Sequence, residues 1–455
     1  MSRLLISAAH KSSGKTTISL GLCAALADRG LTVQPFKKGP DYIDPMWLGQ
    51  ASGRPCHNLD FYCMTHDEIL DTVGQYSADS DISLIEGNKG LYDGLDLDGS
   101  NSNAALAKLT RSPVILVLDA RGMTRGIAPL ILGYQAFDPE IRIAGVILNQ
   151  LGGSRHESKL RAVIQHYTDV RVIGGVHRHA GLEINERHLG LIPSNEEEAS
   201  STFIRHIREI VAAEVDLDGL LAVAGDSRIR HAPASPPAVV ASDRVRIGIA
   251  RDTAFGFYYP DDLIALEHAG AELVTVNTLS DTALPEVDGL FIGGGFPETQ
   301  MHSLAANVAM RRQIRSAIEA GLPAYAECGG LMYLCRSLQW QEQQHEMVGV
   351  IPADCVMHRR PQGRGYVKLR ETPDMPWGSP APAGEIAAHE FHYSALENIS
   401  EPLHYAYDVV RGTGVDGARD GIIINNLLAS YTHMRDTRQH HWARRFVDFV
   451  RHCRR

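Results

Sequence analysis

Apolar residues in this chain fall into short unbroken runs separated by helical stretches. Residues 3–9 read as a buried strand, 16–28 as a helix stopped by Arg29-Gly30, and 31–36 as the next strand. The alternation continues through Ile82-Ser83-Leu84-Ile85, residues 113–118 and residues 143–148. Each run is continuous, the pattern of parallel strands covered on both faces. Residues 1–225 are therefore expected to form a doubly wound α/β domain. Residues 226–244 contain His231-Ala232-Pro233-Ala234-Ser235-Pro236-Pro237, which predicts a semi-rigid linker. Fresh buried strands follow at 245–250, 272–276, 289–292 and 323–326, so 245–455 reads as a second α/β domain. No internal repeat relates the halves.

Composition narrows the function. The 455 residues are 44% hydrophobic and 22% charged, which excludes a disordered chain and supplies enough core for two or three domains. A net charge of -10 with no basic block argues against a phosphate-driven nucleic-acid binder and favours small-molecule chemistry. No apolar run approaches the ~18 residues of a membrane span, so no membrane association is expected. The first apolar run ends at His10-Lys11, too short for a signal peptide. Seven cysteines without a CxxC pair leave a zinc site unsupported and fit reduced thiols in a cytoplasm.

The first chemistry-bearing segment is His10-Lys11-Ser12-Ser13-Gly14-Lys15-Thr16-Thr17, between a strand and a helix. Gly14-Lys15-Thr16 ends a Walker A motif whose usual first glycine is Ala9 here. Backbone N–H groups over Ser13, Gly14, Lys15, Thr16 and Thr17 would wrap the β- and γ-phosphates of ATP at a helix N-terminus. Lys15 would neutralise phosphate charge and the Thr16 hydroxyl would bind Mg²⁺. Glu86 ends a strand, where ligands bind in open α/β sheets, and Gly39-Pro40-Asp41-Tyr42-Ile43-Asp44-Pro45 follows another. Glu86 and Asp41 are thus candidate Mg²⁺ ligands.

The second segment is Pro323-Ala324-Tyr325-Ala326-Glu327-Cys328-Gly329-Gly330-Leu331, a strand turning sharply into a helix. A cysteine there is expected to have a lowered pKa and act as nucleophile. Gly293-Gly294-Gly295-Phe296-Pro297-Glu298 offers backbone N–H groups for an oxyanion. His433, just past a strand at 427–431, is the expected base, with His389 and His392 as rivals.

A phosphate loop followed by a cysteine elbow resembles the cobyrinic acid a,c-diamide synthase family. The resemblance spans nearly the whole chain, through Gly39-Pro40-Asp41-Tyr42-Ile43-Asp44-Pro45, Asp119-Ala120-Arg121-Gly122-Met123, Glu186-Arg187-His188-Leu189-Gly190-Leu191, Phe257-Tyr258-Tyr259-Pro260, Gly293-Gly294-Gly295-Phe296-Pro297-Glu298, Glu390-Phe391-His392-Tyr393-Ser394 and Ala429-Ser430-Tyr431-Thr432-His433. It implies a dethiobiotin-synthetase-like P-loop ATPase domain and a flavodoxin-like class I glutaminase domain. Other class I glutaminases place a glutamate two residues after the histidine. His433-Met434-Arg435 lacks it, so the resemblance implies a cysteine–histidine dyad.

The implied reaction uses L-glutamine, ATP and a polycarboxylate tetrapyrrole. Cys328 would release ammonia with help from His433 and amides near Gly294 and Gly329. ATP would activate an acetate carboxylate as an acyl phosphate, which ammonia converts to the amide. Lys37, Lys38, Asp44 and Arg121 are candidate substrate contacts. Cobyrinate and hydrogenobyrinate are the leading macrocycles, with sirohydrochlorin, nickel sirohydrochlorin and sirohaem as alternatives. The cobyric acid synthase group fits less well. A nucleotide-binding regulatory protein with an inactive glutaminase-like half is the reading of another class, and a homodimer is a possible assembly.

Overall fold

The computed structural model describes residues 2–179, 186–187, 190–191, 193–195, 200–224, 244–378 and 384–454. The chain divides into two compact units, Met1–Ala234 and Ser235–Arg455. Of the expected linker 226–244, all but Arg244 lies outside the described residues, as do His188 and Leu189 of the 186–191 motif.

The first unit is built on seven strands: β1 (Ser2–Ala8), β2 (Val33–Lys38), β3 (His57–Leu59), β4 (Ile82–Glu86), β5 (Val114–Asp119), β6 (Ile143–Leu151) and β7 (Val172–His177). They pair in the order β3-β2-β4-β1-β5-β6-β7, all parallel. The continuous apolar runs arise because both faces are covered. The helix Lys15–Asp28 is buried from Ile18 through Leu26 with no polar face. Ile207 and Val211 of the helix Ser200–Glu214 cover its outer side, against Gly21. On the opposite sheet face Leu5, Ile85, Leu116 and Leu148 pack with Leu106, Ile127 and Leu160.

The second unit carries a nine-stranded sheet of β8 (Val245–Ala250), β9 (Ala271–Val276), β10 (Gly289–Ile292), β11 (Ala324–Glu327), β12 (Gly363–Glu371), β13 (Ile386–His392), β14 (His404–Arg411), β15 (Arg419–Ile424) and β16 (Leu427–Ser430). Its order is β9-β8-β10-β11-β16-β15-β14-β12-β13. The pairs from β9 to β16 are parallel. Those from β16 to β13 are antiparallel, an extension the sequence reading did not resolve. Strand residues alternate between two cores, as period-two geometry requires. Val245, Ile247, Phe291, Tyr325 and Leu428 pack with Trp442 and Phe446 on one face. Leu290, Ile292, Ala324, Ala326 and Leu427 pack with Met310, Ile314 and Ile318 on the other. No helix among the described residues is long and apolar enough to cross a membrane.

Candidate active site

In the first unit, the loop after β1 reaches the helix Lys15–Asp28 through Gly14, whose φ of 81° is left-handed. A Cβ there would lie 2.1 Å from Asn149 Nδ2, so only glycine fits. That amide, at the carboxyl end of β6, donates to the Ser13 carbonyl at 2.9 Å and fixes the loop. Ser13 Oγ donates to the His10 carbonyl at 2.8 Å. Thr17 is half-buried in the first helical turn.

Lys15 and Thr16 point to the adjacent strand end. Lys15 Nζ pairs with Glu86 Oε1, and Thr16 Oγ1 donates to the same oxygen at 2.7 Å. Thr16 Oγ1 also lies 3.4 Å from Asp44 Oδ2. Lys37 is buried and pairs with Asp44, with Asp41 at 3.6 Å and with Glu86 at 3.2 Å. Burial would raise the Glu86 pKa, but the Lys15 and Lys37 ammonium groups and the Thr16 hydroxyl bring it down to about 2. Burial and the Asp41 carboxylate push Asp44 up to about 7. Asp41 Oδ1 accepts from the Ile43 and Asp44 amides at 3.0 and 3.2 Å, which starts the helix Ile43–Ser52.

Two of the expected substrate contacts lie in this same cluster. The structure places Lys37 and Asp44 in the Glu86 cluster, because a buried ammonium needs carboxylate partners. Lys38 is also buried, and burial brings its amine down to about 8. Arg121 is exposed and grips Asp119, at the end of β5, with Nη2 at 2.6 Å from Oδ2. Glu86 Oε2 is buried with no hydrogen-bond partner, beside a hydroxyl and two further carboxylates. This all-oxygen set suits a hard cation. Among the described residues no three acidic, His or Cys side chains form a ready cage. The set thus fits Mg²⁺ that shares its coordination with phosphate oxygens rather than an all-protein site.

In the second unit, β11 and β16 run side by side with Glu327 opposite Ser430. Their carboxyl ends carry Cys328 and His433. Cys328 caps the short helix Gly329–Leu334 with φ 46° and ψ -100°, a strained elbow. Its amide donates to the Ser430 carbonyl at 2.7 Å. A Cβ on Gly330 would stand 2.1 Å from the Ile292 carbonyl oxygen, so the elbow can close on β10 only with glycine. The Cys328 thiol donates to the Phe391 carbonyl at 3.8 Å.

The expected lowering of the thiol pKa is corrected by the structure. Burial pushes the Cys328 thiol up, and the Glu298 and Glu327 carboxylates add to this. The Gly329 amide opposes them without prevailing. The resting sulfur is a neutral thiol that needs a base.

His433 stands over the glycine loop, its Cε1 2.6 Å from where a Gly294 Cβ would be. Its Nδ1 lies 3.3 Å from Glu327 Oε2. The Glu327 Oε1 accepts from the Tyr325 hydroxyl at 2.6 Å and the Met434 amide at 2.9 Å. Gly329 packs against Gly295, so the two loops that carry the proposed oxyanion amides touch. Of the rival histidines, His389 stacks on His433 with centroids 5.0 Å apart. Burial, then His433 and Arg435, hold His389 well below its ordinary pKa. His392 stacks on Tyr431 at 3.9 Å and bonds the Ser394 carbonyl at 2.8 Å, a packing role.

Sequence reasoning did not identify the contact of Glu327 with His433, nor Asp420 or Asn149. Asp420 is fully buried and anchors the turn before His433, accepting from Tyr431, Thr432 and Ser430. Asn149 had a legible signal, a polar residue at the end of an apolar strand. Asp420 had none.

Comparison with known proteins matches residues 5–192 to the CobQ/CobB/MinD/ParA nucleotide binding domain and residues 246–439 to the CobB/CobQ-like glutamine amidotransferase domain. A cobyrinate a,c-diamide synthase of Magnetococcus marinus is 45% identical, over 97% of this chain and 95% of the relative. The chain belongs to the cobyrinate a,c-diamide synthase family. Proteins of the same name from Methanosarcina acetivorans and Listeria monocytogenes are 43% and 41% identical, each over 95% of this chain and over 92% and 96% of their own lengths. Within this family the chain is an amide-forming ligase with a nucleotide-binding half and a glutamine amidotransferase half.

Proposed function

We propose that the protein is an ATP-dependent, glutamine-hydrolysing cobyrinate or hydrogenobyrinate a,c-diamide synthase of cobalamin biosynthesis, acting in the cytoplasm. The observation that carries this reading is the union, in one chain, of a thiol elbow and an imidazole at the ends of two paired strands with a phosphate loop facing a buried carboxylate.

At the thiol site, His433 takes the Cys328 proton as sulfur attacks the glutamine side-chain amide. Amides near Gly294 and Gly329 receive the developing oxyanion. The imidazolium returns its proton to the departing nitrogen, releasing ammonia and leaving a thioester. Water then frees glutamate. His433 is needed as base because the resting thiol is neutral.

At the phosphate loop, amides from Ser13 to Thr17 cradle the ATP phosphates and Lys15 follows the transferring phosphoryl group. Thr16, Asp41 and Glu86, with Asp44 beside them, would hold Mg²⁺, which supplies charge neutralisation on the phosphates. Lys37 is positioned to exchange its carboxylate partners for phosphate oxygens. An acetate oxygen of the macrocycle takes the γ-phosphoryl group, ammonia attacks the acyl carbon, and phosphate leaves. Lys38 and Arg121 remain the proposed cationic contacts for the macrocycle.

The test is mass spectrometry after incubation with ATP, glutamine and, separately, cobyrinate, hydrogenobyrinate, sirohydrochlorin or sirohaem. Two hydroxyl-to-amino exchanges on a corrin ring are expected. Exchange only on sirohydrochlorin-type rings would overturn the substrate assignment. Cys328→Ser is expected to abolish glutamine-driven amidation and retain ammonia-driven amidation. Retained glutamine-driven turnover would overturn the thiol assignment.

A further inference from the structure

Neither of the two residues after His433 is an acid that could orient its ring: Met434 and Arg435 follow, and the Asp436 carboxylate accepts from the Ala443 amide at 3.0 Å. We propose that Glu327, immediately before the nucleophile, is the positioning residue of the thiol site, orienting His433 through Nδ1 and stabilising the imidazolium that forms when Cys328 loses its proton. The inference rests on the thiol–imidazole reading above and deepens it.

The geometry carries the assignment. Glu327 is 3% exposed, and one of its oxygens is pinned by the Tyr325 hydroxyl at 2.6 Å and the Met434 amide at 2.9 Å. That leaves Oε2 facing His433 Nδ1 at 3.3 Å. The root of the ring is fixed as well, because the His433 amide donates to the His389 carbonyl at 2.8 Å. A carboxylate on Nδ1 keeps the proton there and presents Nε2 as the basic atom. When the ring becomes charged, a buried carboxylate beside it offsets the cost of a charge away from water.

Among the described residues, the other titratable groups near the ring have partners or charges that suit this role less. His389 stacks on it and is held neutral. Arg435 is a cation and turns to Asp261, 3.2 Å away. Burial pushes Asp262 well up, which favours its neutral form. Glu298 acts on the Cys328 thiol. One strand end therefore supplies both nucleophile and acid, and its neighbour supplies the base.

The test uses Glu327→Gln in the full-length protein, with glutamine hydrolysis and ammonia-driven amidation measured on the same preparation. The kcat for glutamine is expected to fall about 10- to 100-fold, with KM changed by less than about threefold. The acid limb of kcat/KM is expected to move to lower pH, because the ring loses the anion that faces Nδ1. Glu327→Asp, which keeps the charge, is expected to restore most of the limb and part of kcat. Ammonia-driven amidation is expected to stay within about twofold. An unmoved acid limb with kcat within about twofold would overturn the proposal. An equal fall in ammonia-driven amidation would overturn it too, marking Glu327 as a folding residue only. Cys328→Ser separates the two levels. If that variant still hydrolyses glutamine, the thiol reading itself fails. If it is inactive while Glu327→Gln is normal, only the role of Glu327 fails.

Discussion

Replacing Asp420 with Asn removes one charge from the buried carboxylate that anchors the turn before His433. Oδ1 accepts from the Gly421 and Tyr431 amides at 2.9 and 3.0 Å. Oδ2 accepts from Ser430 Oγ at 2.7 Å and the Thr432 amide at 3.0 Å. The asparagine NH₂ fits least badly in place of Oδ2, where the Ser430 hydroxyl can turn to accept. Thr432 N–H then faces another donor and keeps only Ser430 Oγ, 3.2 Å away, which costs about 1–3 kcal/mol, and the two bonds kept by Oδ1 lose about 1 kcal/mol each with the charge. Easier burial of a neutral group returns part of this, so about 3 kcal/mol is expected overall. For a unit of this size that lowers Tm by about 6–12 °C. Calorimetry reads it, on the transition that Phe446→Ala, in the same unit, also moves. Because the Ser430 carbonyl holds the Cys328 amide, glutamine hydrolysis is expected to fall about 10- to 100-fold. Ammonia-driven amidation stays. A transition moved by less than about 1 °C, with unchanged glutamine turnover, would refute the reasoning.

The remaining predictions concern single contacts. Glu86→Gln is expected to lower ATP-driven amidation at least about 100-fold while glutaminase activity, measured alone, stays within about twofold. Glu86 is depressed to about 2 from 4.5, so its contribution is present above pH 4.5 and lost as pH falls toward 2. Urea midpoints of the first unit should therefore fall less steeply between about pH 5 and 3 in Glu86→Gln than in the parent; equal slopes would contradict the ion-pair account. Gly330→Ala places a methyl 2.1 Å from a backbone oxygen and is expected to abolish glutamine hydrolysis. The control Gly30→Ala, with φ 82° and nothing within 4 Å, is expected to cost only about 1 kcal/mol and leave both activities intact.

The parallel strands, the phosphate loop and the thiol elbow were legible because they are local. A continuous apolar run means a strand buried on both faces, and Gly14-Lys15-Thr16 or Cys328-Gly329-Gly330 encodes its turn within a few residues. The antiparallel half of the second sheet was not legible, since strands such as Gly363–Glu371 and His404–Arg411 mix exposed and buried positions irregularly. Nor was the position of Lys37 or the resting state of Cys328. Both depend on what surrounds them: three carboxylates drawn from a strand end, a loop and a helix start in one case, burial and the Glu298 carboxylate in the other.

The chain by itself thus determined which residue types stand at the strand ends, and so the two chemistries available. Tertiary structure decided how those residues are wired. Glu327 and His433 are 106 positions apart and meet only because β11 and β16 are neighbours. Electrostatic coupling and desolvation act through distance in space, which spacing along a sequence does not fix.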